Sequence, residues 1–102
     1  MDYKILPGAG GKSIIECTGR LTFSNSTAFM RVTEEMKSSQ SKHWVLDLSK
    51  LEFIDSAGLG MLLMARDLVG QMSGTMSLKG ASGQVSKALN LARFEELIPT
   101  EA

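Results

Sequence analysis

The chain has 102 residues, 43% of them hydrophobic, with eleven basic and eleven acidic side chains and no formal net charge. That suffices for one domain with a real core, and not for two. It carries none of the strong basic bias that nucleic acid or an anionic membrane surface selects. One cysteine, Cys17, and one histidine, His43, allow neither an intrachain disulfide nor a four-ligand zinc site.

The N-terminus, Met1-Asp2-Tyr3-Lys4, has no basic region followed by an apolar stretch. The longest strongly apolar run, Met61 to Ala65, falls far short of the ~20 residues of a membrane span. A soluble, cytoplasmic protein is expected. Tyr3 to Leu6 is a short strand candidate, and Pro7-Gly8-Ala9-Gly10-Gly11 is a loop by composition. Ser13 to Gly19 alternates, with Ile15 and Cys17 facing one way, so the two strands form a hairpin. Cys17 reads as a small buried apolar residue.

Ser24-Asn25-Ser26-Thr27 offers helix N-caps, and Ala28, Phe29, Val32 and Met36 recur at helical spacing. Trp44 to Leu48 is the next strand, with Trp44, Leu46 and Leu48 on one side and Val45, Asp47 and Ser49 on the other. A helix runs from Ala57 to about Met72, and Ser73-Gly74 ends it, the glycine suiting a left-handed terminus. Thr75 to Lys79 is a strand with Met76 and Leu78 inward. Ser82 is an N-cap candidate for a helix with the stripe Val85, Ala88, Leu89 and Ala92. Phe94, Leu97 and Ile98 make a last packed turn before Pro99.

Strands alternating with helices imply parallel pairing with right-handed crossovers. Polar residues on one side of three strands place the helices on the other face of the sheet. The strand order should advance steadily, without the reversal that makes a nucleotide crevice.

Enzyme motifs fail on spacing. Gly10-Gly11-Lys12-Ser13 lacks the first glycine of a phosphate-binding loop, since Leu6 stands there, and a strand follows it instead of a helix. Gly58-Leu59-Gly60 lacks the third glycine of a dinucleotide fingerprint, since Leu63 stands there. Ser56 is not in a nucleophile elbow, because Ile54 occupies the first glycine position. His43 starts the strand that precedes it, ~20 Å or more away, beyond the reach of a general base.

Phe53-Ile54-Asp55-Ser56-Ala57-Gly58-Leu59-Gly60-Met61 remains to be explained. Ser56 or Asp55 can cap the helix. Two glycines in its first turns cost roughly 1 kcal/mol each relative to alanine. They serve either close packing on the sheet or a bare patch open to a partner.

The segment Val45 to Leu63, VLDLSKLEFIDSAGLGMLL, resembles the signature of STAS-domain anti-sigma factor antagonists: an apolar strand, D-S-[STA]-G-L-G, then an apolar helix. Gly19-Arg20-Leu21 resembles a second landmark of the family, and the resemblance spans essentially the whole chain. It implies an α/β fold: a single STAS domain over 1–102, with a mixed four- to five-stranded sheet and helices mainly on one face, a βα superhelix. It further implies that Ser56 is phosphorylated by the anti-sigma factor, a serine kinase. The unmodified form would bind that factor and free a sigma factor, and a metal-dependent serine phosphatase would restore it.

The partner-binding positions implied are Thr22, Ser24 and Asn25 from the first loop. Asp55, Ala57, Gly58, Leu59, Gly60 and Met61 join them from the second. Many relatives have an acid where Thr22 stands, and a second hydroxyl where Ala57 stands, which leaves Ser56 the sole phosphoacceptor of the motif. The resemblance implies no catalysis, cofactor, metal, membrane or direct nucleic-acid partner, and a monomer when free. Met61, Met64, Met72 and Met76 read as core filler, with Met61 the first choice of the four for docking. The alternative role is a small STAS subunit of a transporter or lipid-trafficking assembly.

Overall fold

In the computed structural model, which describes residues 1–101, five strands form one sheet in the order β1-β2-β3-β4-β5. β1 (Asp2–Pro7) and β2 (Ser13–Leu21) make the antiparallel hairpin. β3 (His43–Ile54), β4 (Thr75–Lys79) and β5 (Thr100–Glu101) follow in parallel, each beside its predecessor. The connections carry α1 (Ser26–Ser38), α2 (Ser56–Gln71) and α3 (Gly83–Leu91). The order never reverses, as the alternation argument requires.

The helices share one face because the strands bury one set of alternate side chains. Ile15, Cys17 and Leu21 of β2, Trp44, Leu46 and Leu48 of β3, and Met76 and Leu78 of β4 are all buried. They form one cluster with Phe29, Val32 and Met36 of α1, Leu62, Ala65 and Val69 of α2, and Val85 and Leu89 of α3. Each such aliphatic side chain contributes ~1.5–3 kcal/mol by leaving water. Burial, with Asp47 and Glu16 adding to it, pushes the Cys17 thiol up to about 12. This is a core residue and not a reactive one. On the opposite face Glu16, Asp47 and Lys79 stay partly wet, while Val45 is buried in a shallow depression shared with Ile14, Lys12 and Glu101.

Several elements differ from the sequence reading. β3 runs on past Leu48 to Ile54. Glu16 pairs with Asp47 but Thr18 with Lys50, and Gly19 with Leu51 but Arg20 with Phe53. β3 therefore takes an extra residue twice, as bulges, which return Leu51 and Ile54 to the interior. The left-handed residue after α2 is Ser73, at φ 61°, and not Gly74. Gly74 is small for another reason: a Cβ there would lie 2.1 Å from the Lys42 carbonyl oxygen. Phe94 and Ile98 are buried as expected, but Leu97 is exposed. Beyond Pro99 the short strand β5 closes the sheet, with Leu78 N donating to Pro99 O at 2.9 Å.

Candidate functional site

β2 and β3 are parallel neighbours with Leu21 opposite Ile54, so both chains leave the sheet at the same edge. After β2 the chain makes a short 3-10 turn, Phe23–Asn25, and after β3 it starts α2. Residues from the two loops are thereby joined. Asp55 N donates to Leu21 O at 3.3 Å, and Phe23 N donates to Asp55 Oδ2 at 3.2 Å.

Asp55 caps α2. Its backbone is extended, and its Oδ1 accepts from Gly58 N at 2.8 Å. The Gly58 N–H, against some desolvation and helped by the Phe23 N–H, holds the Asp55 carboxyl below the usual carboxylate range. With the cap made by Asp55, Ser56 becomes the first residue of the helix and is exposed. Its hydroxyl forms no hydrogen bond among the described residues, so it stands at a positive helix end with nothing to hold.

The two glycines divide the two roles left open by the sequence. Gly58 is buried, and a Cβ on it would lie 2.2 Å from Leu21 O and 2.6 Å from Ile54 Cγ1. It is small so that α2 can start against the end of β2. Gly60 would meet nothing within 4 Å and lies bare. Met61 is 8% exposed and belongs to the core, whereas Met64, one turn on, is 62% exposed. Gly58 and Met61 both lie on the inward stripe of α2 with Leu62, Ala65 and Val69, behind the exposed Ser56. Ala57 and Leu59 are half-buried and pack against the core from outside.

Thr22, Ser24 and Asn25 make their own turn. Thr22 Oγ1 donates to Asn25 Oδ1 at 2.9 Å and lies 2.9 Å from Ser24 Oγ, while Thr22 N donates to Asn25 Oδ1 at 3.2 Å. This reciprocal cap stiffens the loop beside Asp55. It leaves Phe23, a residue the sequence reading passed over, 74% exposed. The available signal was an aromatic alone in the polar run Thr22-Phe23-Ser24-Asn25. Arg20, at the end of β2, stacks its guanidinium 4.5 Å from the Phe53 ring centroid.

His43 lies at the opposite end of β3, with Nδ1 2.8 Å from Thr75 Oγ1. Ser56 therefore has no imidazole to activate it as a nucleophile. Among the described residues, no group of three His, Cys, Asp or Glu is placed to hold a metal ion. No helix among them is long and apolar enough to cross a membrane. The arrangement is a surface of two stiff loops around a free hydroxyl, suited to contact with another protein.

Residues 6–99 match the family model described as "Mlab, STAS domain". A STAS-domain containing protein of Pseudomonas aeruginosa (strain UCBPP-PA14) is 36% identical over 98 residues, covering 95% of this chain and 96% of that one. An anti-sigma F factor antagonist of Paenibacillus polymyxa is 30% identical over 90 residues, covering 87% and 77%. An anti-sigma factor antagonist from Mycobacterium paratuberculosis shares the fold, with a TM-score of 0.80 at 19% identity over 97% of this chain and 85% of that one. Such antagonists are regulatory binding proteins rather than enzymes. By the family match and the two relatives, the chain belongs to the STAS-domain family of anti-sigma factor antagonists.

Proposed function

We propose that the chain binds an anti-sigma factor through the surface around Ser56 and is released from it when Ser56 is phosphorylated. The observation that carries this reading is the exposed Ser56 hydroxyl, left uncommitted because Asp55 makes the helix cap. Binding by the unmodified form frees a sigma factor. The anti-sigma factor is itself the serine kinase that ends the interaction, and a metal-dependent phosphatase resets it. The contact surface is Phe23, Ser24, Ser56, Leu59 and Gly60, shaped by Thr22, Asn25 and Asp55 and supported from inside by Gly58 and Met61.

Phosphate adds about −1.5 to −2 charge. The N-terminus of α2 favours an anion by ~0.3–1 kcal/mol, and the neighbouring Asp55 carboxylate opposes it. The fold tolerates the change. A partner closed over the same oxygen does not, because the dianion loses its water without gaining a counter-charge. A loss of ~3 kcal/mol weakens binding more than a hundredfold.

Incubation with the cognate anti-sigma kinase and Mg-ATP, followed by mass analysis, tests the reading. One phosphate on Ser56 is expected, and none on Ser56→Ala. An unmodified Ser56 in the presence of a kinase active on its other substrates would favour the assembly-subunit role instead.

A further inference from the structure

The segment that presents Ser56 is held from two sides, and one of them comes from α3. β4 ends at Lys79, opposite Asp47, well before β3 ends at Ile54. Among the described residues, no strand lies beside the last part of β3 on that edge. At Ile54 a single side chain takes the strand's place. Gln84, in the first turn of α3, donates from Nε2 to Ile54 O at 2.9 Å and accepts at Oε1 from Ile54 N at 3.0 Å. These are the two bonds that a parallel neighbour would make to one residue. A primary amide is the side-chain group that offers a donor and an acceptor side by side in that geometry.

The next residue is tied in the opposite direction. Asp55 N donates to Leu21 O in β2, and the Asp55 carboxylate takes the Phe23 and Gly58 N–H groups. The chain is therefore fixed from the α3 side at Ile54 and from the β2 side at Asp55, immediately before Ser56. We propose that Gln84 is a positioning residue: its amide stands in for the missing strand and sets the direction in which β3 delivers the Ser56 hydroxyl to the surface. The consequence for phosphorylation rests on the function proposed above; the positioning itself does not.

Two substitutions separate the bonds. Gln84→Leu removes both at similar size. Gln84→Glu keeps an acceptor for Ile54 N and loses the donor to Ile54 O. On the full chain without a partner, NMR should show Ile54 amide exchange about tenfold faster in Gln84→Leu and less so in Gln84→Glu. The Asp55 to Gly58 resonances should move while exchange at Leu46 is unchanged. With the anti-sigma kinase, kcat for Ser56 phosphorylation should fall roughly 10–100-fold with KM within about twofold, as for a displaced reacting atom on an intact docking surface.

Unchanged Ile54 exchange, or an equal acceleration at Leu46, would overturn the proposal, as would a rise in KM at constant kcat. If wild type accepts no phosphate, the proposed function falls, and the exchange and resonance data alone decide the role of Gln84. If Gln84→Leu does not fold, Gln84→Glu decides it by the same readouts.

Discussion

Gly58 sits so close to Leu21 that a Cβ on it would lie 2.2 Å from the Leu21 carbonyl oxygen. Backbone cannot retreat as a flexible side chain can, and that oxygen also accepts from Asp55 N. Gly58→Ala should therefore cost about 1–3 kcal/mol by overpacking. Gly60→Ala should stabilise the protein by ~0.5–1 kcal/mol, since nothing lies within 4 Å of its Cβ position and alanine is the better helix former. Urea unfolding of the two variants measures both, and effects of the same sign would contradict the division of roles.

Asp55 should give the protein a stability that acid removes. Its carboxyl is held low in the folded state, first by the Gly58 N–H and then, against desolvation, by the Phe23 N–H. The unfolded chain therefore binds more protons than the folded one as the pH falls past the ordinary aspartate value of about 3.9. The contribution is fully present above that value and disappears as the pH drops through the lower folded one. Asp47 and Glu101 are held low as well, so the useful quantity is a difference. The stability of wild type minus that of Asp55→Ala, followed by urea unfolding from pH 6 to pH 2, should be constant at first and then shrink below about pH 4. A difference that grows with acid would contradict the cap.

Phe23 should separate binding from folding. It is 74% exposed on a loop whose shape is fixed by Thr22 and Asn25. Phe23→Ala should leave stability within about 0.5 kcal/mol. It should weaken anti-sigma factor binding by about 2 kcal/mol, the scale of an aromatic anchor at an interface centre. Calorimetric titration alongside thermal unfolding checks the pair. Loss of stability with unchanged affinity would place Phe23 in the fold and not in the contact.

Much of the sheet was legible because alternation is a local signal. Ile15 and Cys17, Trp44 to Leu48, and Met76 and Leu78 point as their period of two requires. β3 beyond Leu48 was illegible for the same reason: two bulges break the period between Leu48 and Ile54, and bulges are set by the register with β2. In α2 the stripe Gly58, Met61, Leu62, Ala65 and Val69 has the spacing of a buried helix face. That stripe takes in Met61 and leaves out Met64, which the sequence reading had counted as core filler and which is exposed. Ser73 could not be foreseen as the left-handed residue, because glycine is the usual choice there and Gly74 is committed to its approach to Lys42. The meeting of Phe23 with Asp55, and of Gln84 with Ile54, depends on which strands end together. A single sequence does not carry that.

The affinity of the anti-sigma factor for the unmodified chain and for the chain phosphorylated at Ser56, measured beside the Tm of each form, tests the switch most directly. The expected result is a loss of more than a hundredfold in affinity, ~3 kcal/mol, with Tm moving by no more than the ~4–8 °C that 1 kcal/mol produces in a domain of this size. Equal affinities, or a phosphorylated chain that loses binding only because it unfolds, would contradict a switch made of local charge on an unchanged scaffold.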